Sequence, residues 1–97
     1  MKTTAVINEI AKDFNISKEK LLNDSIRYYL EKELKDLKIK LFQIGTKYNI
    51  TTIDEFENLY RSGKISENNT FEDYKNFDRL EFKKEKIETI LKKLHYV

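Results

Sequence analysis

The side chains in this sequence that could do chemistry are few in kind. It has one histidine, His95, and no cysteine, so no thiolate site and no multi-histidine metal site can be assembled from it. His95 reads as a partly exposed residue close to the end of the chain. Carboxylates are abundant, and Asp54 with Glu57 and Glu81 with Glu85 each lie about one helical turn apart. General acid–base work needs a pocket that raises the pKa of one member of such a pair. In a chain with 37% charged residues, such pairs read as solvated helix faces. There is no phosphate-cradling P-loop, no dinucleotide glycine fingerprint and no Ser-His-Asp set for a single histidine to complete. The expectation is a protein that is not an enzyme and takes no metal or cofactor.

Two other chemistries need weighing. The six tyrosines and six phenylalanines could stack on nucleic-acid bases, but most of them fall on apolar helical stripes, which points to core or interface packing. Tyr28 and Tyr29 are neighbours and cannot both face one seam, so one of them belongs to a second contact surface. Lys35, Lys38, Lys40 and Lys47, with Lys83, Lys84, Lys86, Lys92 and Lys93 further on, invite a phosphate-binding reading. They are interleaved with acids rather than gathered in one stripe, and the preferred reading is a solvated surface.

Composition sets the frame for these residues. A chain of 97 residues with two glycines, no proline and 39% hydrophobic residues reads as one elongated, all-helical domain, near the size at which a second copy often completes the core. The net charge of +2 is uninformative, but its distribution is less even: neutral over 1–17, +3 over 18–48, −4 over 49–82 and +3 over 83–97. No apolar run is long enough for a signal peptide or a membrane span, and a cytoplasmic protein without membrane contact is expected.

Periodicity then places the elements. Val6, Ile7, Ile10, Ala11 and Phe14 share one face of a helix expected over about 4–14. Asn15 supplies a left-handed stop, and Ser17 caps the next helix, with Ile16 stapled to Leu21. That second helix is expected from Lys18 to Tyr48, ~46 Å long at 1.5 Å per residue. Leu30, Leu34, Leu37, Leu41, Ile44 and Tyr48 follow the alternating spacing of a coiled-coil seam, which Leu22 and Ile26 extend. Gly45 is its weak point, admitting a close neighbour or a kink. Asn49 ends it. Thr52 with Glu55 forms a capping box, with Thr51 as alternative cap, for a short helix through Ile53, Phe56, Leu59 and Tyr60 that Gly63 stops. The stretch KISENN reads as a polar connection. Thr70 with Asp73 reads as the cap of a final helix over 71–94, whose stripe of Tyr74, Phe77, Leu80, Ile87, Leu91 and Leu94 is interrupted by Lys84.

Two resemblances attach to these segments. NISKEKLLNDSIRYYLEKEL is similar to a helix of the ribbon-helix-helix family, with Ile16, Ser17, Leu21, Leu22, Ile26, Tyr29 and Leu30 on its packing pattern. The residues before Ser17 have room for the first helix but not also for that family's N-terminal strand. YYLEKELKDL, KYNITTIDEFENLYRSGKIS and TFEDYKNFDRLEF together resemble small prokaryotic, largely archaeal antitoxin-like proteins of type II toxin–antitoxin pairs. The second resemblance implies an antitoxin that binds and neutralises a cognate toxin, a ribonuclease or nucleotidyltransferase, and autoregulates its operon.

The expected organisation is a single domain. Its 4–30 part is a helix-turn-helix used for dimerisation or DNA binding, and 31–97 form a helical hairpin that binds the partner. Phe56, Leu59, Tyr60, Phe71, Tyr74 and Phe77, beside the chain breaks, are the candidate partner anchors; closure of the hairpin is the competing role for each. Leu22, Ile26, Leu30, Leu34, Leu37, Leu41 and Ile44 are the expected homodimer seam, because the second helix has more apolar length than a shorter partner helix could cover. The alternatives are a DNA-binding transcriptional regulator, with no residue assigned to DNA, and a homodimeric helical adaptor.

Overall fold

The computed structural model describes residues 2–94. They form four helices, α1 (Thr3–Asp13), α2 (Lys18–Tyr48), α3 (Ile53–Arg61) and α4 (Glu67–Leu94), and no strand occurs among them. His95 lies outside the described residues. The shape follows from the lengths: α2 and α4 lie side by side in a hairpin, and the molecule measures 61 × 30 × 16 Å. Its radius of gyration of 19.5 Å is well above the ~13 Å of a compact chain of this length.

One backbone device ends three of the helices. Asn15, Asn49 and Gly63 have positive φ of 54°, 56° and 73°, the left-handed conformation that asparagine and glycine adopt at least cost. In each case the following residue reaches back to the helix: Ile16 N–H to Ala11 O at 2.9 Å, Ile50 N–H to Gly45 O at 2.9 Å, and Lys64 N–H to Leu59 O at 3.0 Å. These are Schellman turns, which satisfy the last carbonyls and reverse the chain in very few residues. The starts are capped as their sequences indicate. The Ser17 hydroxyl accepts from Lys20 N–H at 3.0 Å and the Thr52 hydroxyl from Glu55 N–H at 3.2 Å. The Glu55 carboxylate in turn accepts from the Thr51 hydroxyl at 2.7 Å.

The last helix starts four residues earlier than its sequence suggests, at Glu67. Ser66 is the cap, its hydroxyl accepting from Asn68 N–H at 3.2 Å. Thr70 is inside the helix and buried; its hydroxyl donates to Ser66 O at 2.6 Å. Asp73 makes no cap. It meets Lys47 Nζ at 2.8 Å and the Tyr48 hydroxyl at 2.6 Å across the hairpin, and so fixes the register at the turn.

This longer α4 changes the assignment of the seam. Leu37 is buried with Leu80 and Ile87, and Leu30, Leu34, Leu41 and Ile44 pack around them with Leu91. These five α2 residues, expected to join two chains, are covered by α4 of the same chain. The physical reason is that a heptad seam has no preference for a partner in another chain once an antiparallel helix of nearly equal length is tethered beside it. At the far end, Arg27 donates to the carbonyl of Leu94 at 3.4 Å. No described part of α4 runs past this point, so Leu22 and Ile26, nearer the start of α2, remain exposed.

Gly45 is buried in the second Schellman turn, and a Cβ placed there would lie 2.5 Å from the backbone oxygen of Ile50. Its close neighbour is its own turn rather than another helix. Alanine should gain ~1 kcal/mol of helix propensity at an ordinary site; here the clash with backbone reverses the sign. Gly45→Ala is expected to lose about 1–3 kcal/mol in urea unfolding. A midpoint equal to or above that of the parent protein would show that the turn yields freely.

Candidate interaction surface

The densest feature of the hairpin is its closed tip, where α3 lies against α2 and α4. Its centre is Phe56, with 0% of its surface exposed, and Phe77, with 1%. Rings surround Phe56 on several sides: Tyr48 at 4.7 Å between centroids, Tyr74 at 5.5 Å edge-on, Tyr60 at 5.7 Å and Phe77 at 6.2 Å edge-on. Such edge and offset arrangements suit the ring quadrupoles. Ile50 completes this second core, with Ile53, Leu59 and Ile65 around it.

Three tyrosines can be packed here because each hydroxyl finds a partner. Tyr48 donates to Asp73 Oδ2, and Tyr74 donates to Glu57 Oε1 at 2.9 Å. The Thr70 hydroxyl already donates to Ser66 O, so in its 2.5 Å contact with Tyr60 the phenol is the donor. These bonds tune acidity. Hydrogen bonds from Lys47 and Tyr48 hold the Asp73 carboxyl below its ordinary range, and burial, with Asp73 beside it, pushes the Tyr48 phenol up. The Tyr74 phenol is pushed up to about 12, first by its bond to Glu57 and then by burial.

The six candidate anchors therefore divide. Phe56 and Phe77 have no surface to offer a partner and belong to hairpin closure. Leu59, Tyr60 and Tyr74 are half-buried in the same cluster, and Phe71 is 49% exposed at its edge. Between α3 and the first turns of α4 lies an open cleft of about 260 Å³ lined by Glu57, Tyr60, Arg61, Glu67, Phe71 and Tyr74. Of the six, only the residues lining this cleft stay accessible at a hollow. Sequence reasoning did not place Glu57, Arg61 and Glu67 there, and the early start of α4 is what brings Glu67 to the rim.

A second hollow, of about 440 Å³, opens between the end of α2, the following turn and α4, lined in part by Lys38, Phe42, Thr51, Glu81 and Lys84. Burial raises the Glu81 carboxyl, opposed by Lys84. Its pair mate Glu85 is exposed and does not line this hollow. Among the described residues no group of three or more histidine, aspartate or glutamate side chains could hold a metal ion.

The third surface is at the opposite end of the hairpin. Leu22, Ile26 and Tyr29 are 43%, 45% and 60% exposed, and their spacing of four and three residues places them on one helical face, turned to the side of the line that Leu30, Leu34 and Leu37 follow. Phe14 and Tyr28 are also exposed at this end. The expected dimer residues thus separate into a covered group from Leu30 to Ile44 and an uncovered pair, Leu22 and Ile26. Tyr29, read only as part of a packing pattern, joins the uncovered group.

Two measurements follow from the tip. Phe56→Ala should cost about 3–5 kcal/mol, a large part of the ~5–15 kcal/mol that holds a domain together. Circular dichroism should show a strongly lowered melting temperature; a shift of only a few degrees would mean that the tip is not a core. The Tyr74 phenol is held in its neutral form, so its contribution is complete below the ordinary tyrosine value of 10.0 and is lost as pH rises toward about 12. Ultraviolet titration should show a phenolate appearing near that value that is absent in Tyr74→Phe. Superimposable high-pH limbs, after allowing for one phenol fewer, would contradict the bond to Glu57.

The Uncharacterized protein MJ0235 of Methanocaldococcus jannaschii is 37% identical over 79 residues, covering 81% of this chain and 93% of that one. No solved structure matches the chain. The family described as the Uncharacterized protein MJ0235 family matches residues 1–96. That span runs through all four helices and both ends of the hairpin, and the chain belongs to the MJ0235 family.

Proposed function

We propose that this protein works by binding other polypeptides, as an antitoxin-like protein: two copies join through the N-terminal end of α2, and the opposite tip meets a toxin, a ribonuclease or nucleotidyltransferase, and neutralises it. The observation that carries the proposal is the row Leu22, Ile26 and Tyr29, three apolar side chains exposed together on one helical face near the N-terminal end of α2, around the level of the last described residue of α4, Leu94. In a chain with 37% charged residues, such a contiguous exposed apolar row is a surface meant to be covered. A second copy covers it with the same row, as two-fold symmetry requires.

The division of labour is supported by distance. The row lies at one end of a molecule 61 Å long and the aromatic tip at the other, so dimerisation leaves the tip free. The toxin half of the proposal draws on the resemblance of KYNITTIDEFENLYRSGKIS and TFEDYKNFDRLEF to antitoxin-like proteins, which falls on α3 and the start of α4, where the cleft is. No helix among the described residues is long and apolar enough to cross a membrane.

Light scattering should give twice the 11.7 kDa chain mass for the parent protein. Replacing Leu22 and Ile26 together by aspartate should give the single-chain mass with helical content kept, because the hairpin core does not use them. A monomeric parent protein would remove the dimer. Co-expression with the product of the adjacent reading frame should yield a stable complex in which that product's activity is suppressed. If the product is no nuclease-like protein and nothing co-purifies, the antitoxin proposal falls.

A further inference from the structure

The cleft at the tip has a chemistry that the reading above does not use. Tyr74 is its floor. Tyr60 meets Tyr74 edge-on at 5.7 Å, and Phe71 stacks on it at 6.4 Å with a 13° angle between rings. Carboxylates stand on the rim. Glu57 is engaged, accepting from Tyr74 and pairing with Arg61 at 3.2 Å. Glu67 has no ion-pair partner among the described residues. Three aromatic rings thus line the cleft beside the Glu67 carboxylate, and such rings attract a cation through their quadrupoles.

The chain already shows that Phe71 can play this part. The ammonium of Lys75 lies 5.1 Å from the Phe71 ring centroid, while its own ion-pair partner Glu72 is 3.3 Å away. The region around the cleft has the matching sign: residues 49–82 carry −4, in contrast to the basic segments on either side. A volume of about 260 Å³ suits the end of one long side chain rather than a helix or a nucleotide.

We propose that the cleft between α3 and α4 receives an arginine or lysine side chain from a basic surface of a protein partner, held by the rings of Tyr60, Phe71 and Tyr74 with the Glu67 carboxylate. This rests on the reading of the tip as the partner-binding end and names the chemistry of what binds there. A nucleic-acid-processing toxin is a partner of that kind, since it must carry arginines and lysines to meet phosphates. Lys75 is the in-chain competitor that the incoming cation displaces or joins at Phe71.

The test uses the full-length protein with a hexa-arginine peptide as probe and a hexa-glutamate peptide as control, followed by backbone amide shifts in NMR. Hexa-arginine should move the amides of Tyr60, Glu67, Phe71 and Tyr74 first, and hexa-glutamate should not. Phe71→Leu keeps charge and bulk at an exposed position and should weaken binding about two- to fivefold, as should Glu67→Gln; Lys75→Ala should tighten it. Shifts spread over all acidic residues, or an affinity indifferent to Phe71→Leu, would overturn the proposal by reducing the contact to net charge. The two readings fail separately. A toxin complex that survives Phe71→Leu and Glu67→Gln undiminished, with no hexa-arginine site, removes the cleft and leaves the antitoxin. Hexa-arginine binding at the cleft without any toxin complex removes the antitoxin and leaves the cleft.

Discussion

The structure depends on one ring. Phe56 reaches from a nine-residue helix into the angle between two long ones and is wholly shielded there. A helix this short is not stable alone in water. It exists because its apolar face is buried and because the turns at Asn49 and Gly63 hold it at the right distance from α2 and α4. Without that plug, the ends of α2 and α4 would diverge at the tip, and Tyr48, Tyr60 and Tyr74 would lose the surface on which their rings rest. The polar bonds around it are the condition for using tyrosine there at all. Asp73, Thr70 and Glu57 each take one phenol proton, so packing and hydrogen bonding fix the same geometry.

Closing the hairpin within one chain changes what the remaining surface is for. Most of the α2 seam is occupied by α4, so the proposed self-association uses a row that α4 leaves bare near the N-terminal end of α2. The tip is closed around Phe56 and Phe77, and its one accessible hollow beside the candidate anchors is the small cleft between α3 and α4. In the proposed function the two tasks lie at opposite ends: an apolar row at one end for a copy of this chain, and an aromatic, acidic edge at the other for a basic partner.

Much of this architecture could be read from the residue order, and the reasons are local. Asn15, Asn49 and Gly63 announce left-handed turns because few other residues adopt that conformation cheaply, and the structure has a Schellman turn at each. Ser17 and Thr52 likewise name their helix starts. The start of α4 is not legible at Thr70 and Asp73, which have the spacing of a cap but are claimed by tertiary contacts, with Tyr60 and Tyr48, that no local pattern shows. Ser66 carries the local signal. The seam was legible as a seam but not as to which chain faces it, since an in-chain antiparallel partner and a second molecule produce the same alternating spacing. The same ambiguity placed Phe56 and Phe77 among surface anchors: residues beside a chain break are at the surface or at the centre of the turn according to where α3 folds, and that is a tertiary fact. The cleft was not legible, because Glu57, Glu67 and Phe71 come together only when α4 begins at Glu67.

One chain completes the hairpin core, and the proposed self-association uses the N-terminal end of α2. Amide hydrogen exchange over a range of protein concentrations separates these two parts in one experiment. Protection within the interior of α2 from Leu34 onward, in α3 and in α4 should not depend on concentration, while amides around Leu22, Ile26 and Tyr29 should become protected as concentration rises. Protection of Phe56 and Phe77 that itself depends on concentration would contradict the account, because it would mean that the hairpin core is built between chains.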